Sequence, residues 1–244
     1  MKFTFMSILA GLVFIIFLSG CLYPESERKE NQIPYEDQLD MVQSAVEQYK
    51  EETNGLVPMK TKANETPIFE KYIIDFALLK ERNLISEIPS NAYENGGVYQ
   101  YVLITPEENP TVKLIDLQLT EALRSINVQL DFYRNEHQYP PYGEKIADNV
   151  FAIDFEKLGL EAAPTITSPY SEEKLPVLLD AKGKLIVDYR IDLNHALGEY
   201  EHEYVEGDDI RYILTDYTPF VPAYSLPYTI ENGEPVFLAE GTKE

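Results

Sequence analysis

The sequence contains a single cysteine, Cys21, and no tryptophan. One cysteine cannot form a disulfide within the chain, so the fold must be stabilised by its hydrophobic core. The lack of tryptophan argues mildly against a carbohydrate-binding cleft, because such clefts commonly stack sugar rings on indole rings. The 18 tyrosines could still provide a stacking surface.

Basic residues are also scarce. The chain has 20 Lys and Arg against 42 Asp and Glu, a formal net charge of −22 at pH 7. Such a surface repels nucleic acids and other anionic polymers, so we expect no nucleic-acid partner. Acidity can serve solubility alone, although a cationic partner or divalent cations would offset the repulsion. With 44% hydrophobic and 12% aromatic residues, the chain has enough apolar material for a packed core.

Common catalytic motifs are absent from the sequence. It has no G-x-S-x-G nucleophile elbow, no G-x-G-x-x-G or Walker phosphate loop and no H-E-x-x-H zinc motif. We therefore expect a protein without enzymatic activity, catalytic residues or a cofactor.

The N-terminus has the pattern of a secretory signal peptide. Lys2 supplies a positive charge, and an apolar stretch from Phe3 to Leu18 follows it. The stretch is short for a transmembrane helix, which needs about 20 apolar residues. An uncleaved N-terminal anchor is the alternative. Both interpretations place the rest of the chain outside the cytoplasm.

The apolar stretch ends in Leu18-Ser19-Gly20-Cys21, which resembles the lipobox of bacterial lipoproteins: an apolar residue, two small residues and the cysteine that is acylated. The resemblance implies that residues 1–20 are a signal peptide that is removed. Cys21 then becomes the N-terminus, with a diacylglyceryl group on its sulfur and its amine open to a further acyl group such as palmitate. Two acyl chains hold a protein stably at a membrane, whereas one binds reversibly. We therefore expect a protein anchored at the outer face of the cytoplasmic membrane through Cys21.

In its leader and general pattern, the chain is similar to uncharacterised lipoproteins of Bacillus-type Gram-positive bacteria. That resemblance brings no catalytic motif with it. Without residues 1–20 the chain keeps 19 Lys and Arg against 42 Asp and Glu, a net charge of −23. The acyl chains must therefore bind the membrane without help from a basic surface.

The remaining sequence predicts an α+β fold. Residues 21–37 are polar and contain two prolines, which is typical of an extended tether. Helical spacing of apolar residues predicts one helix from Leu39 to Tyr49 and another from about Val112 to Asn135. Extended structure is predicted at residues 98–104, 150–155, 175–179, 185–191, 210–217 and 224–238.

Two turns and one polar interval punctuate the predicted strands. The tetrapeptide at 180–183 and the dipeptide Asn232-Gly233 predict hairpin turns. The polar residues from Asn194 to Asp209 predict an interruption between strands.

Two parts of the chain resemble each other. The triplet Ile74-Asp75-Phe76 recurs as Ile153-Asp154-Phe155, with a predicted helix before each copy and strands after it. We expect two helix-plus-antiparallel-sheet units, residues 38–108 and residues 109–244, the second ending in a hairpin. The pattern suggests an internal duplication, with chance similarity as the alternative. In the order of its elements, each unit weakly resembles the soluble part of pilin-like proteins.

Two groups of residues could bind a cation. If residues 192–203 are helical, His195, Glu199 and His202 lie on one face and could hold zinc. The acidic run from Glu199 to Asp209 could supply oxygen ligands to calcium. Neither group follows an established metal-binding spacing, so a solvated acidic segment is the interpretation that we favour, with no metal.

The two aspartates of the repeated triplets could form a carboxylate pair of the glycosidase type. Asp75 and Asp154 each precede a predicted helix or turn. We favour a capping role for both, because aspartate accepts hydrogen bonds from free N–H groups at such positions.

A tyrosine- and proline-rich segment near the C-terminus is a candidate interaction surface. Its prolines hold it extended and bar it from a central strand. The candidate contact residues are Tyr217, Phe220, Tyr224 and Tyr228. An edge strand or a loop packed on its own sheet is the alternative.

These patterns predict a non-enzymatic interaction module that binds a protein or polymer of the cell envelope. A solute- or cation-binding lipoprotein that assists a transporter is the alternative, and it predicts a cleft between the two units. An enzyme acting on the cell wall is a third possibility, and it requires a pocket with paired carboxylates or a metal.

Overall fold

The computed structural model describes residues 35–238. The helices are α1 (Tyr35–Glu52), α2 (Ile68–Lys71), α3 (Phe76–Glu81), α4 (Leu117–His137), α5 (Arg190–Glu199) and α6 (Tyr212–Tyr217), with 3₁₀ turns at Tyr93–Asn95 and Glu156–Leu158. The strands are β1 (Met59–Thr61), β2 (Tyr72–Ile74), β3 (Tyr99–Ile104), β4 (Thr111–Asp116), β5 (Tyr142–Ala147), β6 (Val150–Ile153), β7 (Thr165–Thr167), β8 (Lys174–Asp180), β9 (Leu185–Val187), β10 (Tyr228–Glu231) and β11 (Glu234–Phe237).

The expected signal peptide, the lipobox with Cys21 and tether residues 21–34 lie outside the described residues. Helix α1 begins at Tyr35, so the last three residues assigned to the tether are helical. From Glu36 onward, the described residues belong to one compact unit. Across residues 35–238, no helix is both long enough and apolar enough to cross a membrane.

The α+β prediction is confirmed. The first half of the fold, residues 36–116, packs α1 against an antiparallel sheet of order β1-β2-β3-β4. Helix α1 forms because its apolar residues recur at helical spacing, and Val42, Val46 and Tyr49 are buried against the sheet. The predicted strand at 98–104 is β3.

The second half, residues 117–238, packs α4, α5 and α6 around a sheet of order β5-β6-β8-β7, in which β9 pairs with β8. Helix α4 buries Leu119, Leu123, Leu130 and Tyr133 on one side. The strands β10 and β11 form a separate hairpin.

The expected boundary between residues 108 and 109 is wrong as a structural division. It falls inside the hairpin formed by β3 and β4, whose register pairs Tyr99 with Asp116 and Ile104 with Thr111. The first sheet therefore extends to Asp116, and the division between the halves lies where α4 begins.

The second predicted helix begins later than expected. Residues 111–116 are strand β4, and α4 starts at Leu117, where the Asp116 side chain accepts a hydrogen bond from the Gln118 N–H at 2.8 Å. Val112 and Leu114 are buried two residues apart, which is strand periodicity. Sequence spacing alone merged this strand with the helix because Ile115 also fits the helical stripe.

Two segments near the C-terminus were also assigned wrongly. Residues 212–217 form helix α6 and not a strand, because Ile210, Ile213 and Leu214 are buried at spacings of three and four residues. The predicted polar interruption contains most of helix α5, which buries Leu193 and Ala196.

Both predicted hairpin turns are confirmed. The Asp180 carboxylate accepts hydrogen bonds from the N–H groups of Lys182 and Lys184, both at 2.8 Å, in the turn between β8 and β9. Asn232 and Gly233 have φ values of 54° and 84° between β10 and β11. Positive φ at both central residues is what a type I′ turn requires.

The two repeated triplets occupy matching places. Ile74 ends β2 and Ile153 ends β6. The Asp75 N–H donates to the Pro58 carbonyl and the Asp154 N–H donates to the Pro141 carbonyl, both at 2.8 Å.

The strand pairing continues this correspondence. Ile73 pairs with Val102, as Ala152 pairs with Leu178. On the other side, Val102 pairs with Lys113, as Leu178 pairs with Ile186. Strands β1, β2, β3 and β4 therefore match β5, β6, β8 and β9. The pairing thus aligns β3 with β8. The pilin-like resemblance stays a prediction.

Candidate functional site

The two halves are joined by residues 218–227, which we call the strap; this segment turns at Ala223-Tyr224, where Tyr224 has a φ of 59°. The Leu114 N–H in β4 donates to the Pro219 carbonyl at 2.9 Å, and the Val221 N–H donates back to Leu114 at 3.0 Å. Further along, the Val187 N–H in β9 donates to the Tyr224 carbonyl at 2.9 Å. Leu114 and Val187 hold matching positions in the two halves, so the strap is bonded to the same edge of each sheet.

Three of the four residues of the predicted interaction surface are buried or half-buried in the structure. Tyr228, just beyond it, is 0% exposed, and its hydroxyl accepts from the Tyr189 N–H at 3.1 Å. Tyr224 is half-buried, with its hydroxyl 3.2 Å from the Thr120 hydroxyl. Phe220 is half-buried against the core of the first half. These three residues pack on the protein's own sheets, as the alternative interpretation expected, because the strap needs apolar side chains to cover both sheet edges.

Tyr217 is the member of this set that remains at the surface. It ends helix α6 and is 49% exposed. Its ring lies on the Tyr200 ring with centroids 3.8 Å apart and planes 4° from parallel. Its hydroxyl donates to the Glu201 carbonyl at 3.1 Å. The ring is therefore held in one position while part of it stays accessible.

Tyr217 lines an open recess of about 420 Å³, which we take as the candidate site. The other lining residues come from the segment after α5 and from α6. They are Glu201, His202, Glu203, Tyr204, Ile213 and Asp216. Ile213 is fully buried, whereas the three carboxylate residues and His202 are exposed.

The recess is strongly negative. None of its seven lining residues is Lys or Arg. Burial raises the pKa of the Tyr204 hydroxyl to about 12, and the nearby negative charge of Asp216 adds to the rise. With this pKa the Tyr204 hydroxyl is protonated at neutral pH, and it donates to the Asp216 carboxylate at 3.5 Å.

Lys113 lies beside the end of α6, and its ammonium is already hydrogen-bonded. The Lys113 ammonium donates to the carbonyls of Thr215 and Thr218 at the end of α6, the latter at 2.8 Å. Burial lowers the pKa of Lys113, against an opposing effect of Asp216. The ammonium thus satisfies helix-end carbonyls that have no helical partner.

The structure does not bring the predicted zinc residues onto one helical face. Helix α5 ends at Glu199, so His195 and Glu199 are helical and His202 lies beyond the helix. Within residues 35–238, no group of three or more His, Cys, Asp or Glu side chains is placed to hold a metal ion. His202 instead lines the recess, with its ring 6.0 Å from that of Tyr204.

The acidic run is not a uniform solvated surface. Asp208 accepts a hydrogen bond from the Val205 N–H at 3.0 Å. Asp209 pairs with Arg211 at 2.6 Å, and Arg211 is only 5% exposed. Arg211 also donates to the carbonyl and hydroxyl of Ser225 in the strap. This end of the run therefore fixes the strap in place.

Asp75 and Asp154 have the capping role that we favoured. Asp75 accepts from the Ala77 N–H at 3.1 Å at the start of α3. Asp154 accepts from the Lys157 N–H at 3.4 Å and pairs with the Lys157 ammonium at 2.6 Å. Each carboxylate is engaged within its own half.

Sequence reasoning missed a buried carboxylate. Asp192 is 2% exposed and accepts hydrogen bonds from the hydroxyls of Ser168 and Ser171. Burial raises its pKa. No motif signals this arrangement, because the serines lie more than 20 residues before the aspartate.

Comparison with known proteins identifies one part of the chain. Residues 35–116 match the family described as the YphF family N-terminal domain. The match covers about a third of the chain and ends at Asp116, the last residue of β4. It therefore coincides with the first half of the fold. No curated protein and no solved structure gives a significant match.

Proposed function

We propose that the protein is an exported, lipid-anchored interaction module at the outer face of the cytoplasmic membrane. The tetrapeptide Leu18-Ser19-Gly20-Cys21 supports the anchoring. The recess beside Tyr217 supports the interaction, and it is the observation that carries this part of the proposal. An accessible aromatic ring that is already held in place loses little conformational freedom when a partner binds.

The lipid anchor is tested by metabolic labelling with an alkyne analogue of palmitate. The wild-type chain should incorporate the label and migrate as the processed form. Cys21→Ala should lose the label and accumulate as the unprocessed precursor. Ser26→Ala, five residues downstream, is the matched control and should be labelled like the wild type. Equal labelling of Cys21→Ala would refute lipid attachment at this residue.

A second function is favoured by the charge of the recess. Three carboxylates and two phenol rings around one opening suit a cation, so we keep a cation-binding lipoprotein that assists a transporter as the alternative. The expectation attached to this alternative was a cleft between the halves. The recess instead lies entirely within the second half, and the strap is hydrogen-bonded to β4 of one half and to β9 of the other.

The two halves are proposed to descend from one duplicated unit. The matched N–H bonds of Asp75 and Asp154 and the matched strand pairing support this origin. Only the first unit carries the family match. The recess belongs to the second, so the interaction would be a property that the second unit acquired separately.

A further inference from the structure

The recess has features that select a particular chemical group. Ile213 lies beneath the recess and is 0% exposed, so the tyrosines supply the apolar surface that a ligand can reach. The walls of the recess include the rings of Tyr204 and Tyr217. Aromatic walls accommodate an alkyl chain, and ring faces attract a cation at the end of that chain.

The charges come from two separate parts of the chain. Glu201 and Glu203 precede α6, whereas Asp216 lies within it. Carboxylates from both segments repel an anionic ligand and stabilise a cationic one. Because the opening is broad and the carboxylates are exposed, the cation keeps part of its hydration and the cost of burying its charge stays small.

We propose that the recess binds a lysine or arginine side chain of a partner protein. The alkyl part of that side chain lies along the tyrosine rings, and its charged end meets Asp216 and the two glutamates. This inference rests on the proposed interaction function and names the chemistry of its contact. Charge complementarity supports a protein partner, since a chain with a net charge of −22 attracts a basic segment over a long range.

The test measures binding of a defined probe to the full chain, purified in detergent and labelled with ¹³C-tyrosine. The probe is Nα-acetyl-lysine-N-methylamide, and the neutral control is the norleucine analogue, which has a similar alkyl chain but no ammonium. The Tyr217 resonance is assigned by its loss in Tyr217→Leu. The lysine probe should shift the Tyr217 and Tyr204 resonances saturably and bind at least tenfold more tightly than the norleucine probe. Added salt should weaken the binding of the lysine probe, because salt screens the charges.

Two variants locate the site. Tyr217→Leu should reduce the affinity for the lysine probe about two- to fivefold, which is the range expected for an exposed cation–π contact. Asp216→Asn should also reduce the affinity for the lysine probe, and it should make the binding less dependent on salt. Glu121→Gln is the matched control, because Glu121 is exposed on α4 and is not among the residues that line the recess, and it should bind like the wild type.

Several results would overturn this inference. Equal binding of the lysine and norleucine probes would exclude charge recognition, and unchanged binding in both variants would place the contact elsewhere. Tighter binding of putrescine than of the lysine probe would favour a free amine over a protein partner. Tighter binding of calcium at the same resonances would favour a metal ion. The probe experiment needs no membrane, so its failure is distinguishable from a failure of lipid anchoring.

Discussion

The ring of Tyr217 lies flat on the ring of Tyr200, with centroids 3.8 Å apart. Tyr217 ends α6, and Tyr200 directly follows α5, so the stack ties together the two segments that border the recess. Offset-stacked and edge-to-face aromatic pairs contribute about 0.5–1.5 kcal/mol beyond their buried area, and a nearly face-to-face pair contributes less. The stack therefore shapes the recess without being essential to the fold.

Tyr217 and Tyr228 should respond very differently to the same substitution. Tyr217→Leu should lower the free energy of unfolding by about 1 kcal/mol, because the ring is half exposed. Tyr228→Leu should lower it by about 3 kcal/mol, because the ring is fully buried and the Tyr189 N–H loses its acceptor. Urea unfolding of each full-length variant measures both values. Equal losses would contradict the division of the predicted surface into one exposed and one core residue.

Arg211 should be among the most sensitive polar residues. Arg211→Ala removes the guanidinium that pairs with Asp209 and donates to Ser225, and it should lower the free energy of unfolding by about 3 kcal/mol, as for other buried ion pairs that lose one member. Arg124→Ala is the control, since the Arg124–Glu121 pair is exposed, and it should cost about 0.5 kcal/mol or less. Thermal unfolding compares the two. A small effect of Arg211→Ala would show that the strap is held mainly by its apolar side chains.

Gly183 and Gly159 form a matched pair for backbone strain. Their φ values are 72° and 70°, so alanine is unfavourable at both by about 1–2 kcal/mol. At Gly183, a Cβ would lie 2.3 Å from the Pro140 Cγ, whereas nothing lies within 4 Å at Gly159. Gly183→Ala should therefore lower the free energy of unfolding by about 1–3 kcal/mol more than Gly159→Ala, because the added Cβ overpacks against Pro140. Similar unfolding midpoints for the two variants would contradict the packing of this turn against Pro140.

Stability should depend on pH through the buried carboxyl group of Asp192 and the partly buried one of Glu70. Burial raises the pKa of Asp192 above its ordinary value of 3.8 and that of Glu70 above 4.5. The folded state then binds protons more readily than the unfolded state, so these groups reduce stability as pH rises from these ordinary values through the raised ones. Asp192→Asn and Glu70→Gln should remove that decrease, as seen in the difference between variant and wild-type melting profiles.

Asp154→Asn is the control for this pH dependence. The hydrogen bond from Lys157 lowers the pKa of Asp154 below its ordinary value. Its contribution to stability is therefore present above the ordinary pKa and lost as pH falls, which is the opposite sign. A difference profile for Asp192→Asn with the same slope as that for Asp154→Asn would contradict the assignment.

Local sequence signals predicted the elements that depend on local chemistry. Helix α1 follows from the spacing of Val42, Val46 and Tyr49, and the β10–β11 hairpin follows from Asn232-Gly233. The capping role of Asp75 also required only its neighbours. In each case, the residues that determine the structure lie within a few positions of one another.

The features that the sequence did not predict depend on contacts between residues that are far apart in the chain. Strand β4 could not be separated from α4 because Ile115 also fits the helical stripe, and the pairing of β4 with β3 resolves this ambiguity only in the folded chain. The burial of Tyr228 depends on hydrogen bonds to residues about 40 positions earlier. The recess was missed for the same reason, since its lining residues become neighbours only when α6 folds as a helix.

The most direct test of the proposed function is photocrosslinking from position 217 in intact cells, followed by mass spectrometry of the membrane fraction. Phe132, which is 72% exposed on α4, is the control position. The account predicts one dominant crosslinked protein from position 217, absent from position 132 and reduced in Asp216→Asn, with a lysine or arginine at the crosslinked segment. The same crosslinks from both positions, or none from position 217, would contradict the proposed interaction site.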